Sequence, residues 1–199
     1  MALAATQPRW VVGFEDEVWF SRLAQPGMSA WTLEKARSLR LCVKEPDRHD
    51  KTAKALACYG LFVPEQQPAP QMWLRFMDGR PVGGLTCAFL AWTCERLWEQ
   101  DKRVLVLVWD NASWHLSREV RAWGQQHNRQ VKTTGLGVRL LVCSLPSRSP
   151  WLNRIEPKWV QGTRAIVEPH RVLSLEELAQ RLCRYYGCEH LEPLAQKLD

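Results

Sequence analysis

The chain has no run of 18 consecutive apolar residues, and its N-terminus lacks the charged and apolar regions of a signal peptide. A membrane span and a secretory route are therefore not expected. It also lacks a zinc pattern: Cys183, Cys188 and His190 are neighbours, but a second ligand pair at suitable spacing is missing and structural zinc needs four ligands. The seven cysteines, at 42, 58, 87, 94, 143, 183 and 188, are odd in number and scattered, several of them inside apolar runs. They suit buried thiols in a reducing cytosol rather than a disulfide framework. A soluble, intracellular protein with no membrane partner is the expectation.

What is present points to an anionic partner. The 199 residues suit one core, and their net charge of +6 favours an anionic partner such as a polyphosphate backbone. Arg37, Arg40, Lys44, Arg48, Lys51 and Lys54 cluster in one region, and Arg148, Arg154, Lys158 and Arg164 form a second group. Standing alone, such charges read as a solvated basic face. Of the eleven tryptophans, Trp114 and Trp151 stand in polar, turn-rich stretches, where an indole can stack on a base.

The most informative stretch is Val104-Leu-Val-Leu-Val-Trp-Asp110-Asn-Ala-Ser-Trp-His115. Its aliphatic run is too short for a membrane and too β-branched for a comfortable helix, so a central strand is expected, with Asp110 at its carboxyl end, where α/β sheets bind ligands. Ser117 then caps a helix over 117–128. A further strand over 138–143 runs into Leu145-Pro146, and Pro146 and Pro150 force a turn. A helix restarting after Pro150 would place Leu152, Ile155 and Trp159 on one apolar stripe with Glu156 at its edge, unless Pro157 delays the start to Glu156 or kinks the helix there. Near the N-terminus, Trp10-Val-Val-Gly-Phe14 reads as a strand ending in Glu15-Asp16-Glu17. Alternation puts Asp16 on the face of Val12 and Phe14, with Glu15 and Glu17 on the other. Taken by itself, the acidic triplet reads as a surface turn.

Together, Gly13-Phe14-Glu15-Asp16-Glu17, Asp110-Asn111-Ala112 with His115, and Ser149-Pro150-Trp151-Leu152-Asn153-Arg154-Ile155-Glu156 followed by Trp159 resemble the catalytic domain of mariner-type DDE transposases, and more narrowly their bacterial insertion-sequence branch. The resemblance covers roughly residues 10 to 165. It implies an α/β, ribonuclease-H-like fold with a mixed five-stranded sheet flanked by helices. Residues 9–16, segments near 38–43, 55–63 and 71–77, the stretch 104–109 and the stretch 138–143 would supply strands. Val82 to Gln100 would form the first long helix. Ser174 with Glu177 gives a capping box for a last helix to about Tyr186. The expected division is a catalytic domain over 1–170 and a helical extension over 171–199.

The resemblance also implies Asp16, Asp110 and Glu156 as a metal-binding triad for two Mg2+ or Mn2+ ions, with Asn111, His115, Arg148, Asn153 and Lys158 toward substrate. The implied activity is metal-dependent cleavage of double-stranded DNA at element ends, with strand transfer to target DNA. A homodimer or partner transposase subunit and a cytoplasmic, nucleoid-associated location in a bacterium are implied as well. Two departures stand out. Such transposases usually carry helix-turn-helix modules ahead of the first acid, whereas Met1 is close before Asp16, so dependence on a separate module is expected. Residues 111 to 155 form a long interval between the second and third acids, and the excess is expected in a surface loop over Asn128 to Gly137. A non-catalytic accessory remnant and a small-molecule phosphatase are the competing readings. The basic balance and the Leu-Asn-x-Ile-Glu turn speak against the phosphatase.

Overall fold

The computed structural model describes residues 6–22, 28–31, 36–39, 49–65, 69–77, 79–147, 149–166 and 171–195. The strands are β1 (Trp10–Ser21), β2 (Met28–Trp31), β3 (Ala36–Leu39), β4 (Ala55–Val63), β5 (Gln71–Met77), β6 (Val104–Trp109) and β7 (Arg139–Ser144). The helices are α1 (Gly83–Glu99), α2 (Arg118–Thr134), α3 (Glu156–Ile166) and α4 (Leu175–Tyr186), with a 3-10 turn at Pro150–Leu152. The main sheet has the order β5-β4-β1-β6-β7, and β2 and β3 pair separately. β4 runs antiparallel to both β1 and β5, whereas β1, β6 and β7 are mutually parallel. This is the mixed five-stranded sheet with flanking helices expected of a ribonuclease-H-like fold.

Both faces of the sheet are covered, so its central strands carry apolar residues at successive positions. Val11, Tyr59, Leu61, Leu105, Leu107 and Trp109 pack with Leu85, Phe89 and Leu97 of α1 and Val120 of α2. Val12, Phe14, Phe20, Cys58 and Val108 pack on the other face with Ile155, with Trp159 of α3, and with Leu178 and Leu182 of α4. The last helix thus shares a core with the first strand. Its start is the predicted capping box in part: Ser174 Oγ accepts the Glu177 N–H at 3.1 Å. Among the described residues no helix is long and apolar enough to cross a membrane. The described cysteines are free thiols. Cys183, Cys188 and His190 do not converge as a metal-binding group.

Several boundaries differ from expectation. β1 does not stop at the acids but runs through them to Ser21, because β4 pairs with it from Phe14 onward. The expected loop over Asn128 to Gly137 is mostly helix: α2 continues to Thr134 and ends at Gly135, whose φ of 70° supplies the left-handed cap. Its polar residues are used on the sheet edge. Asn128 donates to the Leu140 carbonyl and accepts its N–H, both at 2.8 Å, and His127 Nε2 lies 2.8 Å from the Val138 carbonyl. No continuous helix follows Pro150. The 3-10 turn leaves Leu152 exposed, off the expected stripe, and α3 begins at Glu156 with Pro157 in its first turn, where no N–H is needed. Of the segment near 38–43, residues 38 and 39 belong to β3 and 40–43 lie outside the described residues.

Candidate active site

β1 is the hinge of the site because its alternation sends neighbouring acids to opposite faces. Asp16 points to the α3 side, where Trp159 Nε1 donates to its Oδ2 at 2.9 Å. The indole reaches it only because Gly60, the register partner of Asp16 on β4, has no side chain: a Cβ there would stand 2.2 Å from Trp159 Cη2. Asp110 follows the end of β6, the parallel neighbour of β1. Its Oδ1 accepts the Ala112 N–H at 2.9 Å, and the Asn111 side chain donates to the Leu145 carbonyl at 2.7 Å, tying this loop to the end of β7. Glu156 opens α3. Asp110 and Glu156 line one cleft of about 450 Å3, with Asn111, Asn153 and the Leu145–Ser147 turn in its walls.

Glu156 links the other two carboxyls electrostatically. Burial, then the charge of Glu156, pushes Asp16 up to about 7. Burial, then the charge of Asp110, raises Glu156 as well. Asp110 is lowered instead, chiefly by its hydrogen bond with His115. Three carboxyls, from the middle of β1, the end of β6 and the start of α3, two of them held above their ordinary range, form a site that a cation would relieve.

The acids on the other face of β1 meet His115. Glu15 is fully buried, and the imidazole, 1% exposed, has Nε2 3.0 Å from Glu17 Oε1 and 3.2 Å from Glu15 Oε2, with Nδ1 3.0 Å from Asp110 Oδ1. Trp114 Nε1 donates to the same Glu17 oxygen at 2.7 Å, and Trp109 stacks on the ring at 4.4 Å and 7°. Burial alone would depress the imidazole. The charge of Glu15 and the ring's hydrogen bonds to Asp110, Glu15 and Glu17 outweigh it and hold the ring up to about 12. Burial, followed by the charge of Glu17, pushes Glu15 up to about 8. The acidic triplet is therefore no surface turn. Glu15, Glu17 and His115 also form the one group among the described residues whose ligand atoms meet closely enough to hold a metal ion. Sequence reasoning missed both glutamates, because their partner lies about a hundred residues further along the chain.

The other candidates fall in distinct places. Asn153 is buried, with its amide donating to the Glu15 carbonyl at 3.0 Å and its side-chain oxygen unpartnered. Lys158 is half-buried, with its ammonium 5.1 Å over the Phe62 ring. Arg148 lies outside the described residues, as do Arg40, Lys44 and Arg48 of the first basic cluster. Trp114 is spent on Glu17, whereas Trp151 is 74% exposed.

Comparison with known proteins gives a consistent picture. No curated protein matches the chain. The Mos1 transposase in its paired-end complex with the left transposon end is 16% identical, covering 91% of this chain and 48% of that one, with a TM-score of 0.58. The pre-cleavage Mos1 transpososome is 15% identical, covering 91% and 49%, with a TM-score of 0.55. A Mos1 mariner paired end complex with Mn is 16% identical, covering 91% and 48%, with a TM-score of 0.52. The chain thus spans about half the length of these proteins, and the likeness is one of fold. Residues 85–179, somewhat less than half of the chain and including Asp110 and Glu156, match the model of the DDE superfamily endonucleases.

Proposed function

We propose that this chain is the catalytic domain of a DDE transposase of the insertion-sequence type, cleaving DNA at element ends and joining it to target DNA. The reading is supported by Asp110 and Glu156 lining one cleft and by a chain of charge effects, Asp110 raising Glu156 and Glu156 raising Asp16. The donor set fits the cofactor. It is made of carboxylate oxygens alone, which suit Mg2+ or Mn2+ and not a thiolate or imidazole metal, and two of its carboxyls are raised by burial first and by a neighbouring acid second. Asp16, Asp110 and Glu156 would hold the divalent cations. Bound divalent cations supply activation of the attacking oxygen and stabilisation of the leaving one.

The chain's own residues do the rest. Trp159 fixes the Asp16 carboxylate through its indole N–H, and Asn111 pins the Asp110 loop to the end of β7. Asn153 holds the turn before α3 against the backbone of β1, so Glu156 and Asp16 keep their spacing. Exposed Trp151 and the basic residues near the turn offer contacts to DNA. Residues 1–170 would form the catalytic unit, with 171–199 as a helical extension packed on it. A homodimer or a second transposase subunit, and a bacterial cytoplasmic setting, complete the reading.

The test sets supercoiled plasmid beside a small phosphate ester, each with Mg2+ or Mn2+. Nicking of the plasmid, abolished by Asp110→Asn and by Glu156→Gln with the fold intact, is the expected result. Ester hydrolysis without nicking would favour the phosphatase reading. Neither activity, with DNA still bound, would favour the accessory remnant.

A further inference from the structure

His115 joins the acids on the far face of β1 to Asp110 of the cleft. Asp110 reaches the cleft with a half-exposed carboxylate whose Oδ1 is already committed, to the Ala112 N–H and to His115 Nδ1. No described donor reaches its Oδ2. The imidazole cannot turn, because Trp109 stacks on it and its other nitrogen faces Glu17 Oε1 at 3.0 Å. Glu17 is held in turn by Trp114 and by its place on β1, the strand that presents Asp16 on the opposite face. A ring kept only to fill space beside Trp109 would not carry both nitrogens onto carboxylates, since polar atoms are costly to bury without such partners.

We propose that Glu17, acting through the ring of His115, is a positioning residue for Asp110: the pair fixes the imidazole so that Nδ1–H holds Oδ1 and leaves Oδ2 free for a divalent cation. The inference rests on Asp110 being a cation ligand, as in the proposed function. It makes the two halves of the Asp16-Glu17 dipeptide serve one site from opposite faces of β1. Asp16 faces Trp159 on the α3 side, and Glu17 sets Asp110 from the opposite face.

The test is calorimetric Mn2+ binding by the whole chain, with melting of the metal-free protein as the control for folding. Glu17 touches neither Asp110 nor the cleft, yet Glu17→Ala should weaken binding by about 10- to 100-fold, the usual effect of losing a residue that orients a metal ligand. His115→Ala should do the same, and the double variant should be no weaker than either single one, because both act through one contact. Glu17→Gln keeps an accepting oxygen and should restore most of the affinity. If Glu17→Ala does not fold, His115→Phe keeps the stack on Trp109, removes both nitrogens, and should show the full loss. Wild-type affinity in Glu17→Ala or His115→Phe would overturn the proposal, as would losses that add in the double variant. Mn2+ binding abolished by Glu15→Gln but spared by Asp110→Asn would also overturn it, since the cation would then sit on Glu15, Glu17 and His115 themselves. A wild-type chain that shows the Glu17 and His115 dependence of Mn2+ binding but never nicks DNA upholds this inference and counts against the proposed function alone.

Discussion

Replacing Asp16 by asparagine should stabilise the metal-free protein, and the gain should grow with pH. The perturbation removes one charge and keeps the shape, and an amide oxygen can still accept the Trp159 N–H. Asp16 is raised from 3.8 to about 7, by burial first and by Glu156 second. A carboxyl raised in the folded state stabilises most when protonated, so its contribution is present below about 4 and is lost as pH climbs through about 7. At about 1.4 kcal/mol per pH unit, the ionised group costs at most about 4 kcal/mol at pH 8 and less than half of that at pH 5. Water in the adjacent cleft screens part of this, leaving an expected gain of about 2 kcal/mol at pH 8. For a chain of this size that is roughly 4 to 8 °C in Tm. Glu15 follows the same sign toward about 8, whereas the stability linked to His115 is full below about 6.5 and lost toward about 12. His115 is common to wild type and variant, and losing the Asp16 charge also eases the smallest cause of the Glu15 rise, which adds to the gain at high pH in the same direction. Melting followed by circular dichroism in EDTA at pH 5 and pH 8 reads the effect. A variant that melts lower than wild type at pH 8, or a gain that does not change with pH, would refute the reasoning.

Three further outcomes follow from particular contacts. Gly60→Ala drives a methyl into Trp159, and should cost about 1 to 3 kcal/mol by overpacking while weakening Mn2+ binding through the lost Trp159–Asp16 hydrogen bond; denaturant melts and calorimetry check both. Ser174→Ala removes the cap on α4 and should cost about 1 kcal/mol in urea melts, with cation binding unchanged. Binding of random-sequence DNA by the whole chain should fall steeply with salt and show little sequence preference, because the basic residues would contact phosphates; a footprint confined to one short sequence would contradict it.

How far the site could be read from the sequence depended on range. Period-two alternation set Asp16 on the face of Val12 and Phe14, and the aliphatic run before Asp110 marked β6, since both signals lie within a few residues. The capping serine before α4 was equally local. The burial of Glu15 and Glu17 was not legible, because it depends on His115 arriving from the loop after β6 and on two indoles that enclose it. The polar run from Asn128 misled for a related reason: it reads as a surface loop, yet Asn128 pairs with the backbone of β7 from within a helix. Pro157 marked the start of α3 correctly in one of two readings, and only packing of Ile155 and Trp159 without Leu152 decided between them.

The central claim is that Asp16, Asp110 and Glu156 together hold the divalent cations. Anomalous scattering from crystals soaked in Mn2+ tests it most directly. The account predicts manganese peaks within coordination distance of oxygens from all three residues, with His115 still bonded to Asp110 and carrying no metal. A single peak enclosed by Glu15, Glu17 and His115, with the three cleft carboxylates bare at the same Mn2+ concentration, would contradict it.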